Sequence, residues 1–213
     1  NKQYHNIEHV FEVIKNLIIL FVVNITKQEN IIVDPLDGFN RQVYFIFMAA
    51  IFHDSFHAYN LPISTNERLS IEIFKGWWEL HSLGFYSRYN LSPNNDYVEF
   101  VDKAIWNTSP SFRRYMTKID TDSDMEIIKM LLVADIMNSL VSYDNLIKNS
   151  KNVQDENFEY NQYCIVDLPL LGVVKMFIED IDFISKPGIF YKNDLLIVKD
   201  ELYKNMENKN ENF

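Results

Sequence analysis

The longest apolar run of the chain lies in the segment Val43-Tyr44-Phe45-Ile46-Phe47-Met48-Ala49-Ala50-Ile51-Phe52-His53-Asp54. Its residues 43–52 are apolar without interruption, so the helix predicted over residues 43–53 has no face for water and must lie at the centre of the protein. The run is too short to span a bilayer, which takes about 20 apolar residues. The doublet His53-Asp54 therefore ends the most buried helix predicted for the chain.

Apolar residues recur with helical spacing along nearly the whole chain. Besides the central helix, we predict helices over residues 6–25, from Ser64 onward, over 96–106 and over 123–146, then an interrupted helix over 155–182 and a last one after Pro187-Gly188. Only 5 Gly and 6 Pro occur in 213 residues, which argues against a turn-rich sandwich or barrel. We expect a single all-α domain over residues 1–213, a helical bundle whose residues 206–213 form a frayed tail.

The charge and the cysteine content limit the partners and the location. The formal net charge is −10, and an acidic surface repels phosphate backbones, which argues against binding of extended nucleic acid. A small anionic substrate stays open if a metal ion supplies positive charge locally. Cys164 is the only cysteine, so no internal disulfide can form and a cytoplasmic location fits best. We expect no membrane partner, and the oligomeric state does not follow from the sequence.

Four of the 5 histidines lie in two short clusters. His5 and His9 are four residues apart and share one helix face, although a pair of capping or surface histidines would look the same. His53 suits a helix C-terminus, where the helix dipole favours a cation. Asp54 does not suit that end, and burial of its carboxylate is costly unless it is paired or binds an ion. Its position indicates a nearby cation.

A further carboxylate continues an apolar stripe of the helix predicted over residues 123–146. The stripe consists of Ile128, Leu131 and Leu132, and Asp135 occupies its next position. Its side chain is therefore predicted to point into the core. A buried arginine or a backbone donor could pair with it, but imidazole and carboxylate groups are also ordinary ligands of divalent metals. We therefore predict a metal site that leaves coordination positions for water and substrate. Its ligands are His9, His53, Asp54 and Asp135.

In their order along the chain, these motifs resemble those of the HD-domain metal-dependent phosphohydrolases. The closer resemblance is to the subgroup described as predicted HD-superfamily phosphohydrolases. It spans nearly the whole chain and implies an HD-type helical domain with a tightly held divalent metal ion (Mn, Mg, Zn, Fe or Co). The matching motifs are Tyr4-His5-Asn6-x-x-His9, Ala50-x-Phe52-His53-Asp54, Asn66-Glu67-x-x-Ser70, Ile105-x-x-Thr108, Ala134-Asp135, and Ile189-Phe190 with Glu201 and Asn205.

The first motif is also similar to that of cyclic-nucleotide phosphodiesterases, which share this fold. The resemblance implies that His9 binds the metal and that His5 is the general acid that protonates the leaving oxygen. Asp54, together with Asp135, would anchor the ion in the catalytic step. His57 would hydrogen-bond a water on the metal, or it would simply pack against a neighbouring helix.

The motif Asn66-Glu67-x-x-Ser70 implies further roles at the same site. The carboxylate of Glu67 would approach the attacking water, and Asn66 and Arg68 would meet the phosphate. Each has an ordinary structural alternative, because Ser64 and Glu67 have capping-box spacing and Arg68 would serve equally well as a solvated helix residue. His81 is expected to pack.

The chain departs from the family pattern in two places. Ser109-Pro110-Ser111-Phe112 follows the Ile-x-x-Thr motif, where subgroup members often carry a histidine. His81 is the only histidine between His57 and Asp135, so a second metal with full histidine ligation is not expected. A second ion held by Asp54 and waters stays open.

These observations predict an enzyme that hydrolyses a phosphate ester or anhydride of a small molecule, with nucleotides as the leading substrate class. The alternative activity is that of a cyclic-nucleotide or cyclic-oligonucleotide phosphodiesterase. The alternative from a different class is a catalytically silent HD module that binds a nucleotide or a protein partner. A purely structural helical protein would leave Asp54 and Asp135 without partners.

Overall fold

The computed structural model of the protein describes residues 6–27, 38–56, 65–89, 95–109, 123–161, 174 and 192–208. Within these ranges the regular secondary structure is helical and no strand occurs, so the all-α fold class predicted from the sequence is confirmed. The helices are α1 (Ile7–Lys27), α2 (Gly38–Phe52), α3 (Thr65–Tyr89), α4 (Asp96–Thr108), α5 (Ser123–Leu140), α6 (Tyr143–Asn161) and α7 (Lys192–Asn208).

Helices α2 and α5 form the centre of the bundle. α2 packs against α1, α3, α4 and α5, whereas α5 packs against α1, α2, α4 and α6. The side chains of residues 127–134 in α5 are all buried, and so are Phe45, Ile46, Ala49 and Ala50 in α2. The His53-Asp54 doublet thus directly follows one of these two central helices, and Asp135 lies in the other.

Helix α2 is central but not wholly enclosed, so the expectation that it has no face for water was wrong. Tyr44 and Ile51 are 37% and 44% exposed, and Phe47, which shares their face, is half-buried. These positions recur every three to four residues and form one narrow stripe that the surrounding helices do not cover. The helix also begins earlier than predicted, at Gly38.

The single helix predicted over residues 123–146 is in fact two helices, with a break at residues 141–142. Ser142 is the N-cap of α6, because its hydroxyl accepts a hydrogen bond from the Asn145 N–H (3.2 Å) and its carbonyl accepts one from the Leu146 N–H (2.9 Å). Apolar residues continue across the break, so the periodicity alone does not reveal it.

Aromatic contacts fix the relative direction of α2 and α3. The ring of Phe52, at the end of α2, lies 5.4 Å from that of Phe74, in the first half of α3. The ring of Tyr44, in the first half of α2, lies 5.1 Å from that of Phe85, near the end of α3. The two helices are therefore antiparallel, and the first turn of α3 lies near the end of α2.

Helix α4 runs antiparallel to α3 and therefore parallel to α2. Tyr97, in the first turn of α4, has its ring 6.4 Å from that of Tyr86, near the end of α3. Asp102, further along α4, pairs with Lys75 of α3 at 2.9 Å. The end of α2, the start of α3 and the end of α4 consequently share one end of the bundle.

The C-terminal part of the chain is described only in pieces. The stretch expected to be a frayed tail, residues 206–213, is helical as far as Asn208. Of the helix predicted over residues 155–182, the first part belongs to α6, which ends at Asn161, and Val174 is buried. The remaining residues of both stretches lie outside the described ranges. None of the described helices is both long enough and apolar enough to cross a membrane.

Candidate metal centre

His9 reaches the site from the first turn of α1. Asn6 caps this helix, because its Oδ1 accepts hydrogen bonds from the backbone N–H groups of Glu8 (2.8 Å) and His9 (3.0 Å). His9 lies on the face of α1 that continues through Val13 and Leu17 into the core, and it is only 8% exposed. The cap thus fixes the start of the helix, and the apolar face directs the imidazole inward.

His53 follows α2 directly and is held by two hydrogen bonds to that helix. Its backbone N–H donates to the Ala49 carbonyl (2.8 Å), and its ring Nδ1–H donates to the Ala50 carbonyl (2.8 Å). In the neutral ring this leaves a lone pair on Nε2, the atom that faces the site. That Nε2 is buried and makes no hydrogen bond of acceptable geometry. Histidine ligands of metals have this arrangement, with one ring nitrogen bonded to the protein and the other available.

Two carboxylates face the two imidazoles. Asp135 Oδ1 lies 2.9 Å from His9 Nε2 and 3.9 Å from His53 Nε2. Asp54 Oδ2 lies 3.6 Å from His9 Nε2 and 3.3 Å from His53 Nε2. The structure therefore brings all four predicted ligands together, from the start of α1, the end of α2 and the second half of α5.

The spacing of these atoms suits a single ion. Ligand atoms bonded to a transition metal at about 2.1 Å lie roughly 3.0–3.5 Å from one another in octahedral or tetrahedral geometry. His9, His53 and Asp54 each offer one ligand atom, and these atoms all lie within 4.8 Å of one another. These three residues could hold a metal ion, and Asp135 Oδ1 lies beside the same His9 nitrogen.

The charges in the site shift two pKa values. Burial lowers the pKa of His53, but the negative charges of Asp54 and Asp135 outweigh burial and raise it from 6.5 to about 9. Burial raises the pKa of Asp135, but its hydrogen bond to His9 and the charges of both histidines outweigh burial and lower it. In the metal-free chain both residues are therefore charged at neutral pH, and a metal that binds here must displace the proton of His53.

The first turn of α3 carries three of the residues that the family resemblance assigns to catalysis and substrate binding. Asn66 and Glu67 are half-buried, whereas Arg68 is exposed, as a solvated helix residue would be. Because α3 starts beside the end of α2, this turn lies at the same end of the bundle as His53 and Asp54. The roles of these three residues with substrate stay predictions.

Ser70 is a residue whose role the sequence did not reveal. It is fully buried in α3, its hydroxyl accepts a hydrogen bond from the Phe56 N–H (3.1 Å), and it donates one to the Phe56 carbonyl (3.4 Å). These bonds tie the chain just after Asp54 to the helix that carries Glu67. The motif Asn66-Glu67-x-x-Ser70 marks the serine, but the sequence does not reveal that Ser70 bonds to the backbone of Phe56.

A second group of polar residues lies at the end of α4. Asn107 and Ser109 are 1% and 0% exposed, and the Asn107 Oδ1 and Ser109 Oγ atoms are buried without a hydrogen-bond partner. They belong to the end of the bundle that also contains the His53-Asp54 doublet. In the sequence, Ser109 is marked only as part of a departure from the family pattern, and no motif marks Asn107.

Three histidines complete the comparison with the sequence predictions. His81 packs as expected, because its ring stacks on that of Trp77 at 4.6 Å and its Nδ1–H donates to the Trp77 carbonyl (2.7 Å). His5 and His57 lie outside the described residues, as does Ser64. The general-acid role of His5, the water contact of His57 and the capping box with Ser64 stay predictions.

Comparison with known proteins identified no relative. No protein-family model, no curated protein and no solved structure matches this chain.

Proposed function

We propose that the protein is a metal-dependent hydrolase that cleaves a phosphate ester or anhydride in a small molecule, with nucleotides as the substrate class. One observation carries the proposal. Two imidazoles and two carboxylates, from three separated parts of the sequence, converge with contacts of 2.9–3.9 Å in a nearly buried site. The resemblance to HD-domain phosphohydrolases assigns a metal ion to these same four residues.

A purely structural His–Asp pair explains the site less well. His9 and Asp135 satisfy each other at 2.9 Å, which would complete such a pair. His53 would then carry a buried positive charge, with Asp54 Oδ2 3.3 Å from its Nε2 but no hydrogen bond of good geometry between them. Burial of such a charge is unfavourable unless the pair is well bonded. One divalent cation would bond to all four side chains and neutralise both carboxylates.

The donor set also indicates which ions are suitable. Two imidazole nitrogens and two carboxylate oxygens suit Mn, Fe, Co or Zn better than Mg, which prefers oxygen ligands and water. His9, His53, Asp54 and Asp135 would hold one ion tightly. A second ion would depend on Asp54 and waters, because His81 is the only histidine between His57 and Asp135 in the sequence.

When bound, such an ion supplies a Lewis acid for the phosphoryl oxygen and brings the pKa of water towards 7. The chain provides the other parts of the reaction. Glu67 would accept a proton from the attacking water, and His57 would hydrogen-bond a water at the same site. Asn66 and Arg68 would orient the phosphate. His5, four residues before His9, would donate its ring proton to the leaving oxygen, since histidine titrates near neutral pH.

Two other functions follow from specific features. The element Tyr4-His5-Asn6-x-x-His9 favours a phosphodiesterase that acts on a cyclic nucleotide or cyclic oligonucleotide. A silent HD module would keep the four side chains to bind a nucleotide or a protein partner without turnover. The retention of all of His5, His9, His53, Asp54 and Asp135 argues against loss of activity.

A substrate panel tests the proposal. The purified chain is stripped with a chelator, reloaded with Mn²⁺, Fe²⁺, Co²⁺ or Zn²⁺, and incubated with linear and cyclic nucleotides. We expect phosphate release from linear nucleotides, its loss in Asp54→Asn, and its retention in Asp200→Asn, which changes an exposed carboxylate of α7. Turnover of cyclic substrates alone would favour the phosphodiesterase, and binding without turnover under every metal would favour the silent module.

A further inference from the structure

The interface between α1 and α5 contains a line of polar contacts next to the candidate metal centre. The Nδ2 of Asn16 donates to the Ala134 carbonyl (2.9 Å) and to Asn138 Oδ1 (3.4 Å). The side-chain amide of Asn138 in turn donates to the Glu12 carboxylate. We call these contacts of Glu12, Asn16, Ala134 and Asn138 the polar seam.

Asn16 is an unexpected residue at this position. It is 5% exposed, and its neighbours on the buried face of α1 are Val13, Leu17 and Leu20, all of them buried. Burial of an amide in apolar surroundings opposes folding unless its hydrogen bonds are made, so a leucine would suit an interface selected for stability alone. Apolar contacts are also non-directional, and they tolerate small shifts of one helix along another. A directional hydrogen bond, such as the one donated by the Asn16 amide, does not tolerate such a shift.

We propose that Asn16 is a positioning residue that fixes the register of α1 on α5 and thereby holds His9 against Asp135. The inference rests on the proposed metal centre. Asn16 follows His9 by two helical turns, so both side chains lie on one face of α1. Its acceptors flank Asp135 in α5, because Ala134 immediately precedes Asp135 and Asn138 follows it by about one turn.

The geometry of the four ligands depends on this register. A shift of α1 by one residue moves each side chain by about 1.5 Å along the axis and 100° around it. Such a shift would break both the 2.9 Å contact of Asn16 with the Ala134 carbonyl and the 2.9 Å contact of His9 with Asp135. A single buried asparagine is known to set register in helical interfaces at some expense of stability. Here the same effect would hold His9 at the distance that an ion requires.

The test compares Asn16→Leu with Val13→Ala, both buried substitutions on the same face of α1. Asn16→Leu removes the hydrogen bonds and keeps the branched shape of the side chain, whereas Val13→Ala weakens packing and keeps the hydrogen bonds. We expect Asn16→Leu to lower the affinity for Mn²⁺ by about 10–100-fold and to change the visible spectrum of bound Co²⁺. Val13→Ala should lower the melting temperature while leaving Mn²⁺ affinity and the Co²⁺ spectrum as in the wild type.

A second measurement needs no metal and separates this inference from the metal centre. ¹⁵N NMR of labelled histidine side chains in the metal-free chain reports the hydrogen bond of His9 Nε2 to Asp135, with the signal assigned by a His9→Gln variant. We expect that signal in the wild type and in Val13→Ala, and its loss in Asn16→Leu. A wild-type chain that shows the His9 signal but binds no ion would contradict the metal centre alone. The role of Asn16 would be overturned if Asn16→Leu kept the His9 signal and the Mn²⁺ affinity of the wild type. It would also be overturned if Asn16→Leu and Val13→Ala lost them equally.

Discussion

The protonation state of His53 depends on the two carboxylates beside it. Its pKa in the folded chain is raised from 6.5 to about 9, because the charges of Asp54 and Asp135 outweigh the effect of burial. A raised pKa means that the proton binds more tightly to the folded than to the unfolded chain. The resulting stabilisation is complete below pH 6.5 and is lost as the pH rises through about 9.

We therefore expect the metal-free chain to lose stability between these two pH values. The contribution of His53 to the free energy of unfolding should decrease by on the order of 3 kcal/mol. Urea unfolding in the presence of a chelator, across this pH range, measures the change. A His53→Gln variant, which cannot take up the proton, should show a smaller pH dependence. Identical pH profiles for the two chains would contradict the assignment.

Asp135 lies in the apolar stripe of α5. Removal of its charge tests whether it is a metal ligand or only a structural partner of His9. Asp135→Asn keeps the shape of the side chain but removes the charge that holds a cation. We expect the variant to fold and to lose the difference in melting temperature that the wild type shows with and without chelator. A chelator effect that persists unchanged in Asp135→Asn would exclude Asp135 as a ligand.

Because the pKa of Asp135 is lowered, any stabilisation by its charge should disappear as the pH falls below its ordinary value of 3.8.

At the scale of residues, the two aspartates of the site could be predicted because each is misplaced by an ordinary criterion, whereas the two histidines are marked only by their clustering and by the family resemblance. Asp54 carries a charge at the wrong end of a buried helix, and Asp135 interrupts an apolar stripe. Ser70 violates no such rule, and Asn16, although it interrupts the apolar face of α1, is an uncharged residue of a kind that is common in helices. Their partners, the Phe56 backbone and the Ala134 carbonyl, become visible only once the helices are packed.

At the scale of helices, the segment after the doublet depends on its contact with α3. Ser70 is the buried anchor of that contact, through its two hydrogen bonds to Phe56. Ser70→Ala should destabilise the chain by about 1–2 kcal/mol, because it removes two hydrogen bonds to the part-buried backbone of Phe56. It should also accelerate hydrogen exchange of the Phe56 amide. Ser87→Ala, at an exposed position of the same helix, should change neither, and equal effects of both variants would rule out the anchoring role.

Helical periodicity predicted where helices occur better than where they begin and end. The apolar pattern predicts a buried helix over residues 43–53, and α2 does occupy the centre of the bundle. Its exposed stripe at Tyr44 and Ile51 depends on how many helices surround it. The break between α5 and α6 depends on Ser142, whose capping hydrogen bonds compete with continuation of the helix. Neither feature can be derived from the apolar pattern, because each arises from packing or from a single cap.

At the scale of the whole molecule, a bound ion would connect α1, the end of α2 and α5, which are separated by long stretches of sequence. An ion that binds the folded but not the unfolded chain stabilises it by about 2.7 kcal/mol at a concentration 100 times the Kd. For a chain of this size that corresponds to an increase in melting temperature of roughly 5–10 °C. The formal net charge of −10 also favours the approach of a cation.

Calorimetric titration of the chelator-stripped chain with Mn²⁺ tests whether His9, His53, Asp54 and Asp135 hold a metal ion. We expect one tightly bound ion per chain, with release of a proton from His53 at neutral pH. Tight binding should be lost in His53→Gln and in Asp54→Asn, and retained in Asp200→Asn. The absence of binding in the wild type, or full binding in both site variants, would contradict the account.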